Sequence, residues 1–409
     1  MNKTKTTTWV LAALAAIAMF LISASVLAAT PENRGDHARS IERTTADHES
    51  IREHSRRRLR VRCDRGETLT KALRRARAYQ TIRFSGTCYE SIVIKTDHLT
   101  LRGENGATID GGASPSEAVV LIDGARGVRL ANFTVQNGAD QGVLATHQSQ
   151  GELKNLAITG NGTVGLSVDR SHLEIIDLAL DNNRVGGMDA YTGSTIVARG
   201  SLSANNNGGD GLAANGRVFF ELRGAQIVAS GNAGSGISII NDSRLQILSF
   251  PEAQGSSINA DGNGFAGIGI LGSALGVVGS QFFGSGANVI TANNNGVFGF
   301  FMPAGAILSP HATAKFVAQE NGVGMLLEDG GTVLIVGGLD LAENGAGLSA
   351  HGAGTLTLVS VPPNPSRIDD NRIDLDLGFG TRLTSDAVRF TSIACDETVL
   401  TRGASCPGE

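Results

Sequence analysis

Asn161-Gly162-Thr163-Val164-Gly165-Leu166-Ser167-Val168 is the phrase that decides how this chain folds. It returns as Asn207-Gly208-Gly209-Asp210-Gly211-Leu212-Ala213-Ala214 and as Asn263-Gly264-Phe265-Ala266-Gly267-Ile268-Gly269-Ile270. Looser copies start at Asn137, Asn183, Asn232, Asn295, Asn321 and Asn344, and with Asn371 the asparagines are spaced 22 to 32 residues apart. A period of that size belongs to solenoids, propellers or arrays, and a propeller blade needs about 40 residues. Between two copies the apolar residues alternate in runs too short for helices: Leu166 and Val168, Leu173 and Ile175, Leu178 and Leu180. Each repeat therefore supplies about three short strands. Glycine and asparagine in the phrase are expected to take the positive φ of the turns, and asparagines at one corner to stack into an amide ladder. One such coil leaves an apolar face bare that only the next coil can cover, so the coils must stack.

These features resemble the right-handed parallel β-helix, the pectin-lyase-like superfamily of exported bacterial proteins. The resemblance runs from Cys63 to about Phe390. It is carried by the phrase from Gly127 to Gly138, by its echo from Gly151 to Gly162, and by the opening from Cys63 to Gly86-Thr87-Cys88. It implies an all-β, right-handed parallel β-helix solenoid of about ten coils. Leu69, Ala72, Leu73 and Ala76 recur at helical spacing, which predicts a capping α-helix over about residues 67–79.

Ahead of the repeats, Met1 to Lys5 carries two lysines and no acid, and Trp9 to Leu27 is almost wholly apolar. Residues 1–28 read as a signal peptide. No later run is long and apolar enough to cross a bilayer, so the mature chain is expected to be exported, to the periplasm or beyond. Residues 29–62 read as a disordered, mixed-charge linker, residues 63–394 as the solenoid, and residues 395–409 as a disulfide-bearing tail. Losing Lys3 and Lys5 leaves 32 basic residues against 39 acidic ones, a formal charge of −7. That balance excludes nucleic-acid binding by bulk charge. Of the four cysteines, Cys63 and Cys88 lie near one end, Cys395 and Cys406 near the other. An oxidising compartment predicts two disulfides, and of the three pairings this local one closes the shortest loops. No histidine adjoins either pair, so no metal site is expected.

The superfamily includes lyases, hydrolases and epimerases of acidic polysaccharides, but its catalytic phrases are missing. There is no Asn-Thr-Asp, Gly-His-Gly, Arg-x-Lys or Asp-Pro-His-Asp, and the only aspartate pair is Asp369-Asp370. Between residues 130 and 361 the only lysines are Lys154 and Lys315, beside six arginines, a thin supply for gripping a polyanion. Trp9 falls in the signal peptide and Tyr191 is the only tyrosine among the repeats, so aromatic sugar platforms are scarce. Phenylalanines such as Phe219, Phe220, Phe282, Phe283, Phe298, Phe300 and Phe301 are expected to fill the interior. Aligning repeats on their second glycine sets His147 beside Arg170, and Asp169 beside Tyr191. His172, Asp189, Arg217, Asp242 and Arg244 fall nearby. This corner is the candidate surface: His147, Arg170 and Asp189 would be its catalytic groups, and the other six its binding groups. The leading expectation is a non-catalytic, cofactor-free module that binds a polysaccharide or a cell-envelope component, or serves as an extracellular structural module. The alternative is a polysaccharide lyase or a glycoside hydrolase, with calcium as the ion if a lyase.

Overall fold

A computed structural model describes residues 59–112, 116–248, 255–272, 274–278, 288–303, 306–310, 314–336, 338–352, 354–359, 366–396, 398–402 and 405–406. The expected signal peptide and all but the last four residues of the expected linker lie outside them. The described chain is a parallel β-solenoid whose every strand pairing is parallel and joins one coil to the next.

Three faces wrap one core. Long strands of the N-terminal half, such as His172–Ala179 and Thr195–Ser203, bend midway, where the pairing register slips between Ile176 and Leu178 and between Ala198 and Gly200. Further on the two limbs become separate strands, and Phe219–Val228 pairs with both Arg244–Leu248 and Ser257–Asn259. The limbs before and after the bend form the first and second faces, within a 21-stranded sheet. The third face is a 13-stranded sheet with one strand per coil. There are thus thirteen coils rather than about ten. The excess lies in coils lacking the Asn-Gly phrase, such as those of Ile92–Ile94, Ala118–Asp123 and Ile393–Cys395.

Period-2 alternation sends every second side chain inward, and register stacks like on like. On the third face Val143, Leu166, Met188, Leu212, Ile237, Ile268, Phe300, Met325 and Leu348 form one buried column. Each such side chain is worth about 1.5–3 kcal/mol when fully buried. Phe220 and Phe300 are buried as expected, and Phe316 is buried with them; Phe282 and Phe283 lie outside the described residues. Phe219, Phe298 and Phe301 are not: they fall on outward positions, and Phe298 and Phe301 pack against the exposed Phe265 on the outer surface.

The asparagine ladder is present. Asn161, Asn183, Asn207, Asn232, Asn263, Asn295, Asn321, Asn344 and Asn371 follow one another at the corner between second and third faces. The backbone N–H of each donates to Oδ1 of the next at 2.9–3.2 Å, and most also donate through Nδ2. The reason for the glycines differs from the expected one. Neither the ladder asparagines nor the glycines after them have positive φ; the residue before each asparagine does, as at Gly160, Asn182, Asn206 and Glu320. The first glycine is needed because a Cβ on Gly162 or Gly208 would lie 2.0 Å from a carbonyl oxygen of the preceding coil. The second is needed because a Cβ on Gly165 or Gly211 would lie 2.7 Å from the next asparagine's Nδ2. Asn137 is one residue out of step: it has φ 56° like Gly160, and Gly138 N–H donates to Asn161 Oδ1.

Both ends are closed. The first strand, Leu59–Arg62, begins within the expected linker and pairs with Ile82 to Ser85. The helix spans only Leu69–Leu73, shorter than expected. Its start is held by Thr68 and by the Glu90 carboxylate, which accepts from Leu69 N at 2.6 Å and Thr70 N at 3.0 Å, a favourable charge at a helix N-terminus. Beyond Leu73 the chain tightens into turns, Arg75 N to Ala72 O and Ala76 N to Leu73 O. Gln80 Oε1, accepting from Arg77 N, then leads the chain into the next strand. Disulfides join Cys63 to Cys88 and Cys395 to Cys406, with Cα separations of 5.0 and 5.7 Å. The expected tail takes part in the stack, since Leu400–Arg402 pairs with Arg382 to Thr384.

Candidate functional site

The candidate surface lies where third-face strands turn into first-face strands. Most coils make this turn with left-handed residues: His147 and Gln148, Gly216 and Arg217, Asn241 and Asp242. Arg170 is left-handed on its own. The residue after the turn is often a buried serine. Ser149 Oγ shares its proton between Thr146 O at 2.6 Å and Ile122 O at 2.9 Å, and Ser194 Oγ donates to Tyr191 O at 2.6 Å. These hydroxyls add a second donor to carbonyls that already accept a backbone N–H, Ser149 N to Thr146 O at 3.2 Å and Ser194 N to Tyr191 O at 3.1 Å, which fixes the corner.

Pairing puts Thr146, Asp169, Tyr191, Asn215 and Ile240 in one column, with His147, Arg170, Thr192, Gly216 and Asn241 following them. The expected neighbours do share a corner, but they divide into small groups. His147 Nδ1 is 2.7 Å from Asp123 Oδ1, whose other oxygen is 2.8 Å from Lys95 Nζ. Hydrogen bonds from Lys95 and then His147 hold the Asp123 carboxyl below the usual carboxylate range against a small opposing effect of burial. Arg170 folds back on Asp169 at 3.1 Å. Tyr191 Oη donates to Asp189 Oδ2 at 2.6 Å. Burial raises the Asp189 carboxyl, the nearby Asp210 charge adds to it, and the Tyr191 bond only partly offsets them. Burial and Asp189 together raise the Tyr191 hydroxyl, so it keeps its proton. His172 and Arg244 start first-face strands in a single outward row, with Thr195 and Phe219 between them.

Tyr191, Arg217 and Asp242 come together. With Thr192, Asn215 and Asn241 they line a depression of about 530 Å³ spanning three coils. Arg170, Arg199 and Arg223 each hold a carboxylate; Arg217 holds none among the described residues. The pocket thus offers one aromatic face, two amides, a carboxylate and an unpaired guanidinium, a set suited to hydroxyls and a carboxylate. The sequence reading missed Asn215 and Asn241, which register on the second glycine could have supplied. It also missed Lys95 and Asp123, which lie in coils without the Asn-Gly phrase. Among the described residues no three of His, Cys, Asp or Glu converge so as to hold a metal ion, and no helix is long and apolar enough to cross a membrane.

No protein-family model and no curated protein matches the chain. Solved structures do. They include the A-module of the mannuronan C-5 epimerase AlgE6 from Azotobacter vinelandii, 15% identical, covering 80% of this chain and 85% of that one with a TM-score of 0.42. Pectate lyase Pel9A is 12% identical, covering 83% and 80%, with a TM-score of 0.35. A family 28 exopolygalacturonase from Yersinia enterocolitica is 11% identical, covering 86% and 79%, with a TM-score of 0.31. What they share with this chain is the solenoid. At such identities the likeness carries no substrate and no mechanism with it.

Proposed function

We propose that this is an exported, non-catalytic module that binds an acidic saccharide of a polysaccharide or cell envelope at the Tyr191–Arg217–Asp242 pocket. The observation that carries this reading is Arg217, which holds no carboxylate among the described residues, in a concavity lined also by two amides, one tyrosine ring and the Asp242 carboxylate. A sugar carboxylate would take the guanidinium in a two-pronged hydrogen bond, and its ring face would lie on Tyr191. Asn215, Asn241 and Asp242 would take hydroxyls. The two disulfides and the expected signal peptide support an oxidising destination, periplasmic or extracellular. The test is calorimetric titration with oligogalacturonate and oligomannuronate. Arg217→Ala should weaken binding about tenfold or more, equivalent to ~1.4 kcal/mol; unchanged affinity in that variant would remove the reading.

A second reading, a polysaccharide lyase or hydrolase, draws on Asp189, a carboxyl raised by burial and hydrogen-bonded to Tyr191. Such a group could donate a proton. Release of unsaturated or reducing ends from an acidic polysaccharide, abolished by Asp189→Asn, would favour this reading over binding alone.

A further inference from the structure

The end of the solenoid that the helix Leu69–Leu73 closes is charged differently from the rest. Residues 59–80 carry seven lysines and arginines against two acidic residues, whereas residues 131–409 carry 13 against 25. The helix explains how the cations are displayed. Leu69, Ala72, Leu73 and Ala76 turn onto the core, so Lys71, Arg74, Arg75 and Arg77 stand exposed on the outer side. Arg62 and Arg65 are exposed in the strand and turn that lead into it. Of the seven cations only Arg60 meets a carboxylate among the described residues, Glu104 at 3.7 Å. The nearby acids are engaged by the backbone instead. Asp64 accepts from Thr87 N at 3.3 Å, Glu67 from Arg62 N at 2.6 Å, and Glu90 from the first helical N–H groups.

The same end displays two of the chain's three tyrosines. Tyr89, the last residue of the strand Thr81–Tyr89, is 77% exposed. Tyr79 is half-exposed. Its φ of 66° is left-handed, which is rare for a bulky residue, and its ring stacks on His98 with centroids 4.4 Å apart. Val93, in the first strand of the third face, is exposed as well. Long cationic side chains beside tyrosine rings, each with an apolar body and a wet tip, suit the boundary between a bilayer and water.

We propose that this tip is an interaction surface for an anionic phospholipid bilayer, which it meets end-on at the level of the headgroups. A lysine or arginine held near such a surface strengthens binding about fivefold, and the tip offers six without a carboxylate partner. Tyr79 and Tyr89 reach the headgroup layer beside them. The acidic coils do not oppose this contact, because at about 0.1 M salt charges more than about 10 Å away, roughly two coils, are screened. A second copy of the chain fits less well. At the opposite end residues 381–402 carry three cations against three acids, so that end offers no complementary charge. The Tyr191 pocket begins four coils further along, and the two surfaces act independently.

The test is sedimentation with vesicles of phosphatidylcholine alone or with about 30% phosphatidylglycerol. The protein is purified after export by a bacterial host, so that its leader is processed. It should bind the anionic vesicles and not the neutral ones, and binding should weaken at least about tenfold between about 0.05 M and about 0.5 M salt. Arg74→Ala, Arg75→Ala and Arg77→Ala combined should weaken it at least about a hundredfold. Arg382→Ala with Arg402→Ala, exposed at the other end, should change nothing. Tyr89→Trp adds a reporter, since the only tryptophan, Trp9, lies in the expected leader. Its emission should shift to the blue on anionic vesicles alone. Circular dichroism confirms that each variant is folded. Equal binding to both kinds of vesicle, no binding to either, or full binding by the triple variant would overturn the proposal. So would binding of soluble polyglutamate as tightly as of anionic vesicles, or an unshifted emission from vesicle-bound Tyr89→Trp.

Discussion

At the scale of single residues, two kinds of glycine do different work and should respond differently to substitution. Gly208 has ordinary φ but no room, since a Cβ would lie 2.0 Å from Arg184 O. Gly193 has room but φ 73°, with nothing within 4 Å of a built Cβ. Gly193→Ala should therefore cost only the left-handed penalty, about 1–2 kcal/mol. Gly208→Ala must push two coils apart and should cost clearly more, as thermal unfolding of the pair will show. The ladder is equally exacting. Asn263 is 2% exposed and receives both the backbone and side-chain donors of Asn232. Asn263→Ala strands those donors, at about 1–3 kcal/mol for a buried group left unsatisfied, whereas Asn241→Ala, at the exposed corner, strands no buried donor and should cost no more than the left-handed penalty of its φ of 55°, at most about 1–2 kcal/mol.

Elements differ in how they end, and the ladder ends on a carboxylate. Asp374, fully buried, accepts from Asn371 and also from Thr391 N at 2.7 Å, Thr391 Oγ1 at 2.8 Å and Ser392 N at 3.0 Å. Burial pushes its pKa up, but these donors outweigh it and the pKa stays below the ordinary aspartate value. A carboxyl depressed on folding stabilises above its unfolded pKa of about 3.9 and loses that contribution as pH falls through its folded value. Stability should therefore fall on acidification below about pH 4, and Asp374→Asn should flatten that limb in a denaturant series across pH. The elements also show what was legible beforehand. The ladder was readable because one residue type recurs at one place. The second-face bend was not, because its left-handed position is filled by Asn132, Asn155, Asp177 and Gly200, a mixture with no pattern of identity. The candidate corner was half readable: register placed Tyr191, Arg217 and Asp242 together, while the bond that occupies His147 comes from Asp123, in a coil with no phrase to align. Phe301 was misjudged because composition cannot tell which parity of a strand faces out, and Phe298 because it shares the parity of the buried Phe300 but stands at the first residue of the strand, where the chain leaves the corner.

Across the whole molecule, stability is a sum of coil-to-coil interfaces, and the coil is the unit that can be removed. Deleting residues 184–207 takes out the interval from one ladder asparagine to the next and joins Asn183 to Gly208. The shortened chain should keep its β circular dichroism and unfold cooperatively, but it loses Tyr191 and with it acidic-sugar binding.

A stack of this kind ordinarily frays from its tips, where a terminal turn of chain has a neighbour on one side only. Here the opening tip is stitched by Cys63–Cys88 and the closing one by Cys395–Cys406. Melting must then begin in the middle, parting two interfaces at once, so the oxidised protein should resist proteases far longer than its thiol-reduced form under the same conditions.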